Sequence, residues 1–150
     1  MSLVTDGPGE SLFDRLSYLC VLSRPRFWFY LAGPVVVGVA VAAQSVDDLF
    51  TPTTIGLFAY SLLPANVLPY GVNDIFDVEV AAATPKKTDK EARWQGDRVV
   101  TAAVVVSGLL GAGLMAATPR SAWPWLVGFL VLAVEYSAPP LRFKTTPFVD

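Results

Sequence analysis

The chain has 150 residues, 53% of them hydrophobic and only 16% charged, with a mean hydropathy of +0.50. Soluble domains carry about 25% charged residues, so this balance points to a membrane protein. The net charge of −2 comes without a basic surface run, which argues against nucleic acid as a partner. With no histidine and a single cysteine, Cys20, the chain excludes His-ligated zinc, Ser-His or Cys-His catalysis and an internal disulfide. Any metal it bound would be held by oxygen and would be a hard cation such as Mg2+.

The first 26 residues include Asp6, Glu10, Asp14 and Arg15 and lack the basic start, apolar core and small-residue cleavage site of a secretory signal. Residues 1–10 read as disordered. Residues 11–26, "SLFDRLSYLCVLSRPR", place Leu12, Phe13, Leu16, Leu19, Cys20 and Leu22 among polar residues. This pattern predicts an amphipathic helix lying on the membrane interface.

Residues 27–150 read as a transmembrane domain. A span needs about 20 mostly apolar residues. Residues 27–46, 53–72, 99–117 and 122–138 are the candidates, the last of them short and carrying Glu135 near its end. The runs are apolar on all sides and do not alternate, which favours helices over barrel strands. The fold class expected is therefore all-α and integral to the membrane, with four transmembrane helices. Pro34, Pro64, Pro69 and Pro124 lie inside these spans and can kink or break them where they line a cavity. Ser107, Gly108, Gly111 and Gly113 in the third span allow close helix packing.

The basic residues fall on one side of this topology. Arg15, Arg24 and Arg26 precede the first span; Lys86, Lys87, Lys90, Arg93 and Arg98 lie between the second and third; Arg142 and Lys144 follow the fourth. Of the 11 Lys and Arg, Arg120 alone falls on the other side. The positive-inside rule then sets both termini and the long second loop in the cytoplasm of a multi-pass protein of the cell membrane.

Two polar stretches stand out. "YGVNDIFDVEVAAATPKK", residues 70–87, follows directly on an apolar run. If the second helix continues past Val72, Asp74 and Asp77 lie about one turn apart on one face, with Asn73 bordering it. Two carboxylates on one face repel unless a cation sits between them. Mg2+ accepts one or two carboxylates and completes its shell with phosphate oxygens and water. Lys86, Lys87, Lys90 and Arg93 follow, as a site for a metal-bridged diphosphate would require. The same residues also fit a helix leaving the bilayer into water beside basic topology signals. In "EYSAPPLRFK", residues 135–144, Pro139 and Pro140 stop a helix behind Tyr136, and Arg142 and Lys144 follow two apart. They fit a second phosphate clamp opposite the first, or an aromatic belt residue with basic anchors.

Taken together, "NDIFD" after a proline-bearing span resembles the first Asp-rich motif, N-D-x-x-D-x-x-x-D, of UbiA-type intramembrane prenyltransferases. "YSAPPLRFK" is similar to the Tyr-, Pro- and Lys-containing segment that these enzymes carry after their fourth helix. "SRPRFWFYLAGP" and "PYGVNDIFD" look most like the branch that elongates carotenoids, the lycopene elongases. The resemblance covers nearly the whole chain from about residue 15. It implies a nine-helix bundle of which this chain is the first half, and transfer of an allylic group from a prenyl diphosphate to a lipophilic acceptor in the bilayer. It further implies Asn73, Asp74 and Asp77 as ligands of Mg2+ and diphosphate. Lys86, Lys87, Arg93, Tyr136, Arg142 and Lys144 would bind diphosphate or shape the pocket.

This sequence departs from that pattern at Ala81, where the motif has its last Asp, and Glu79 projects about 200° away from Asp77 on an ideal helix. It also lacks the second Asp-rich motif, so the 150-residue chain alone is expected to be inactive and to need a C-terminal half. Two other readings remain open at this level. One is a non-catalytic remnant or partner subunit. The other is a small cation-coupled transporter using Asn66, Asp74, Asp77 and Glu135, although the inverted repeats such a transporter would carry are not visible.

Overall fold

The computed structural model describes residues 12–76 and 98–145. Asp77, Ala81, Lys86, Lys87, Lys90 and Arg93, together with residues 1–10, lie outside the described residues. Among the described residues all regular structure is helical. The helices are α1 (Leu12–Leu22), α2 (Trp28–Ala42), α3 (Pro52–Leu62), α4 (Pro64–Phe76), α5 (Arg98–Ala117) and α6 (Trp123–Glu135). Short 3-10 turns at Pro25–Phe27, Asp47–Phe50, Arg120–Ala122 and Phe143–Thr145 join or follow them.

Three stretches are long and apolar enough to cross a membrane: Pro25–Ala42, Pro52–Phe76 and Arg98–Ala117. They correspond to the first three expected spans and make the chain a multi-pass membrane protein. The fourth, expected over 122–138, is a helix of 13 residues. At about 1.5 Å per residue it reaches about 20 Å, short of the hydrocarbon thickness of about 30 Å. The chain turns after Glu135, before the two prolines, and Leu141 N donates to Glu135 Oε2 at 3.2 Å, so the carboxylate closes this turn.

The joint between α1 and α2 is built around Ser23, which is fully buried. Its Oγ donates to Cys20 O at 2.7 Å and accepts from Trp28 Nε1 at 2.9 Å. Arg24 follows in the left-handed region, with φ of 50°, and turns the chain into the Pro25–Phe27 turn.

The second crossing is broken in its middle. Pro64 has no N–H to give and its ring crowds the preceding turn, so α3 stops at Leu62 and α4 starts afresh. The N–H of Asn66 turns to Leu63 O at 3.0 Å. Its side-chain amide then donates to Ser61 O at 3.1 Å and Leu62 O at 2.9 Å, satisfying carbonyls that the break leaves open.

Helix α4 is the centre of the bundle and packs most closely on α5. Leu68 and Val72 of α4 form the core with Ala133 and Ala138, against Val104 of α5 and Phe129, Leu130 and Val134 of α6. Gly71 brings α4 onto Val100 and Val104, and Gly111 brings α5 onto Tyr60 and Leu130. At one end of the bundle, Thr53 Oγ1 donates to Ala117 O at 3.1 Å and Trp123 Nε1 to Met115 O at 2.8 Å. Outward-facing Val36, Val37, Val41, Leu109, Leu110 and Trp125 are exposed, as befits side chains that meet lipid.

At that same end, Asp48 closes the turn before α3 by accepting from the N–H groups of Gln44 and Ser45, each at 2.9 Å. These two bonds hold its carboxyl below the ordinary 3.8. A depressed folded value gives a contribution that is present above the unfolded pKa and lost as pH falls through the lowered one. Asp48→Ala is therefore expected to speed amide hydrogen exchange at Gln44 and Ser45 at neutral pH. The difference from the parent protein should vanish once acid has protonated Asp48.

Candidate functional site

At the other end of the bundle, α4 runs past Val72 to Phe76 and carries Asn73 and Asp74 with it. The segment after α6 folds back against this end. Lys144 Nζ donates to Asn73 Oδ1 at 3.0 Å, and Ser137 Oγ donates to the same oxygen at 3.1 Å. Arg142 Nη2 donates to Phe76 O at 3.3 Å, on the last turn of α4. The two polar stretches singled out in the sequence, more than 60 residues apart, thus meet side chain to side chain.

The return segment is shaped for this. Ser137 and Ala138 are buried, and a cis Pro139–Pro140 bond reverses the chain. Arg142 takes a left-handed conformation with φ of 42°, its N–H on Ala138 O at 3.1 Å. Lys144 N reaches Tyr136 O at 3.1 Å. The basic side chains are therefore held on a closed turn tied back to the end of α6.

Asp74 looks the other way, toward α1. Tyr18 is buried at 8% exposure and its hydroxyl donates to Asp74 Oδ2 at 3.0 Å. A hydrogen bond of this kind fixes the direction of the carboxylate. Tyr18 and Ser137 were both missed as site residues in the sequence. Each sits inside a quoted stretch, but as an ordinary aromatic residue of the amphipathic pattern and a small residue after a helix, and only packing brings them to Asp74 and Asn73.

The chemistry of the donor set is that of a hard-cation site. The Asn73 carbonyl and the Asp74 carboxylate are oxygen ligands adjacent in sequence, which suits Mg2+ in kind. Among the described residues no group of three or more His, Cys, Asp or Glu comes together. With Asp77 outside the described residues, Asn73 and Asp74 are the part of the expected ligand set on view.

Next to this end lies a cavity of about 490 Å3. Phe27, Tyr30, Tyr70, Phe129 and Tyr136 supply most of its ring surface, and Asn66 lies in its wall. Tyr136 is 43% exposed and Tyr70 is half-buried, whereas Asn66 is 2% exposed. Arg24 stacks its guanidinium over the Tyr70 ring, 4.6 Å from the centroid, so a cation stands beside the aromatic wall. Of the six substrate-binding candidates, the structure brings Lys144 and Arg142 to α4 and sets Tyr136 on the cavity. Lys86, Lys87 and Arg93 are outside the described residues.

No family model matches the chain and no solved structure matches it. Curated relatives do. A lycopene elongase/hydratase of Haloferax volcanii is 66% identical over 146 residues, covering 97% of this chain and 48% of the relative. One of Halobacterium salinarum is 53% identical over 133 residues, covering 89% and 48%. A C(50) beta-cyclic carotenoids biosynthesis protein of a Dietzia species is 33% identical over 134 residues, covering 85% and 30%. The chain spans about half the length of the first of these relatives. Over nearly all of its own length, this membrane chain is similar to proteins of carotenoid biosynthesis named lycopene elongase/hydratase.

Proposed function

We propose that this chain is part of a Mg2+-dependent membrane prenyltransferase of the UbiA type. It would move an allylic group from a prenyl diphosphate to a lipophilic carotenoid acceptor such as lycopene. The observation that carries this reading is the meeting of Asn73 with Lys144 and Ser137 at the end of α4. An amide, a hydroxyl and an ammonium converge there from distant segments, with the Arg142 guanidinium on the last turn of α4, which simple helix exits into water do not require. The names of the relatives support a carotenoid acceptor, and the aromatic cavity suits an apolar tail.

In this reading, Asn73, Asp74 and Asp77 would hold the metal, which supplies charge neutralisation to the leaving diphosphate. Lys144 and Arg142, with Lys86, Lys87 and Arg93, bind the remaining phosphate charge as it builds. Tyr18 aims Asp74, and Ser137 and Lys144 aim Asn73. The Tyr136 ring on the cavity favours the allylic cation electrostatically, and the apolar wall keeps bulk water from quenching it. This end of the bundle faces the cytoplasm, where a soluble prenyl diphosphate enters.

The test is an assay of the full-length protein in membranes with Mg2+, dimethylallyl diphosphate and lycopene. An elongated carotenoid should form and should disappear on chelation. No elongated product at saturating Mg2+, or a rate indifferent to chelation, would sink this reading. The 150-residue chain alone is expected to give no turnover.

A further inference from the structure

Among the described residues, the cavity wall is aromatic and aliphatic except at one buried point, Asn66. Its amide nitrogen is committed to Ser61 O and Leu62 O, which also fixes which end of the amide is which. What remains is Oδ1, an acceptor held in place by the backbone on a residue that lines the cavity. A lone acceptor in such surroundings is costly unless something donates to it. A water's share of liquid volume is about 30 Å3, a small part of the space on view. The Tyr70 and Tyr136 side chains line the same cavity and can offer a held water its further partners.

We propose that Asn66 is a specificity-determining residue that holds a water molecule in this cavity, and that this water captures the carbocation left on the acceptor after prenyl transfer. This rests on the prenyl-transfer reading above. The allylic C–O bond breaks and its electron pair leaves with diphosphate. The acceptor's alkene gives its π pair to the new C–C bond and becomes a tertiary cation. A lone pair of the held water forms a C–O bond to that cation, and the resulting oxonium gives its proton to a diphosphate oxygen. The products are an elongated tertiary alcohol and protonated diphosphate. Without the water, a neighbouring C–H pair collapses to an alkene and the same diphosphate takes that proton. Asn66 therefore sets the ratio of alcohol to alkene.

The experiment uses full-length protein in membranes, with dimethylallyl diphosphate and lycopene, in water enriched in the heavy oxygen isotope. Mass spectrometry reads the ratio of hydroxylated to non-hydroxylated elongated product within the product pool, whatever its total. Asn66→Leu, similar in size and without polar atoms, should lower that ratio about tenfold, the worth of one hydrogen bond. Asn66→Ser can still donate to Leu62 O and accept from water, and should fall between Leu and the parent. The alcohol should carry the isotope. An unchanged ratio in Asn66→Leu overturns the proposal. So does an unlabelled alcohol. If the Leu variant yields no product, an unchanged ratio in Asn66→Ser overturns it and a lowered one supports it. Failure of the parent protein to elongate at all overturns the prenyl-transfer reading and this proposal with it.

Discussion

Lys144→Met should lower kcat/KM of the full-length protein for the prenyl diphosphate by about 10²–10³-fold, the usual cost of removing one donor aimed at developing charge. Asn73→Leu, which removes an oxygen of the proposed metal site and the acceptor of Lys144, should lower it comparably. The two groups are 3.0 Å apart, so their losses should not add. Once Asn73 Oδ1 is gone, Lys144 has lost one acceptor that directs it, and removing it as well costs less than it does in the parent. The double variant should be no worse than about tenfold below the poorer single one. Lys144→Arg keeps the charge but changes a compact ammonium into a flat fork, and should recover only part of the rate. The measurement is steady-state turnover at saturating Mg2+, with thermal stability in detergent recorded for each variant. Near-parental rates in both single variants would leave Asn73 and Lys144 as anchors of the return segment and nothing more. The site would then have to be sought elsewhere.

The second large effect is structural. A Cβ built on Gly71 runs into Cγ2 of Val104, and one built on Gly111 runs into the Tyr60 hydroxyl and comes within 2.8 Å of Leu130 Cδ2. Val104 is β-branched and stiff at its first torsion, so it cannot swing aside. Gly71→Val must push α4 away from α5, at a cost of about 1–3 kcal/mol for overpacking. Because α4 also carries Asn73 and Asp74, the variant should lose turnover together with thermal stability. Gly111→Val should lose stability in the same range. Gly113, on the same helix as Gly111, has nothing within 4 Å of an added Cβ. Gly113→Ala should melt where the parent does. Equal melting of all three variants would mean that the α4 and α5 contact does not hold the bundle together.

Much of the architecture was legible because it rests on local apolarity. Three long apolar runs became three crossings, and the amphipathic pattern before them became the helix α1. The continuation of the second helix past Val72, a supposition at the level of sequence, is found as far as Phe76. The fourth run was already the short one in the sequence, but hydropathy does not register that Glu135 accepts from Leu141 N and closes the turn behind α6. The sequence set Lys144 and Arg142 opposite the first polar stretch, but it did not single out Tyr18 or Ser137 as partners of Asp74 and Asn73. Tyr18 lies 56 positions before Asp74 and Ser137 lies 64 after Asn73, and no periodicity links such positions. Asn66 offered the one missed signal. An amide in the middle of an apolar crossing is expensive, and two residues after a proline it marks the place where backbone carbonyls need donors. The sequence flagged it only as a candidate for binding a transported cation.

The break at Pro64 therefore has a consequence for how this chain can change. The residue that mends the backbone fault is the same residue that lends the cavity its buried amide. A substitution chosen to alter the chemistry of the cavity also withdraws the donors from Ser61 O and Leu62 O, and so reopens the fault. Stability and product outcome are coupled through a single side chain. A variant that escapes this trade-off must supply a second donor to α3, or straighten the crossing by replacing Pro64, before position 66 is free to vary.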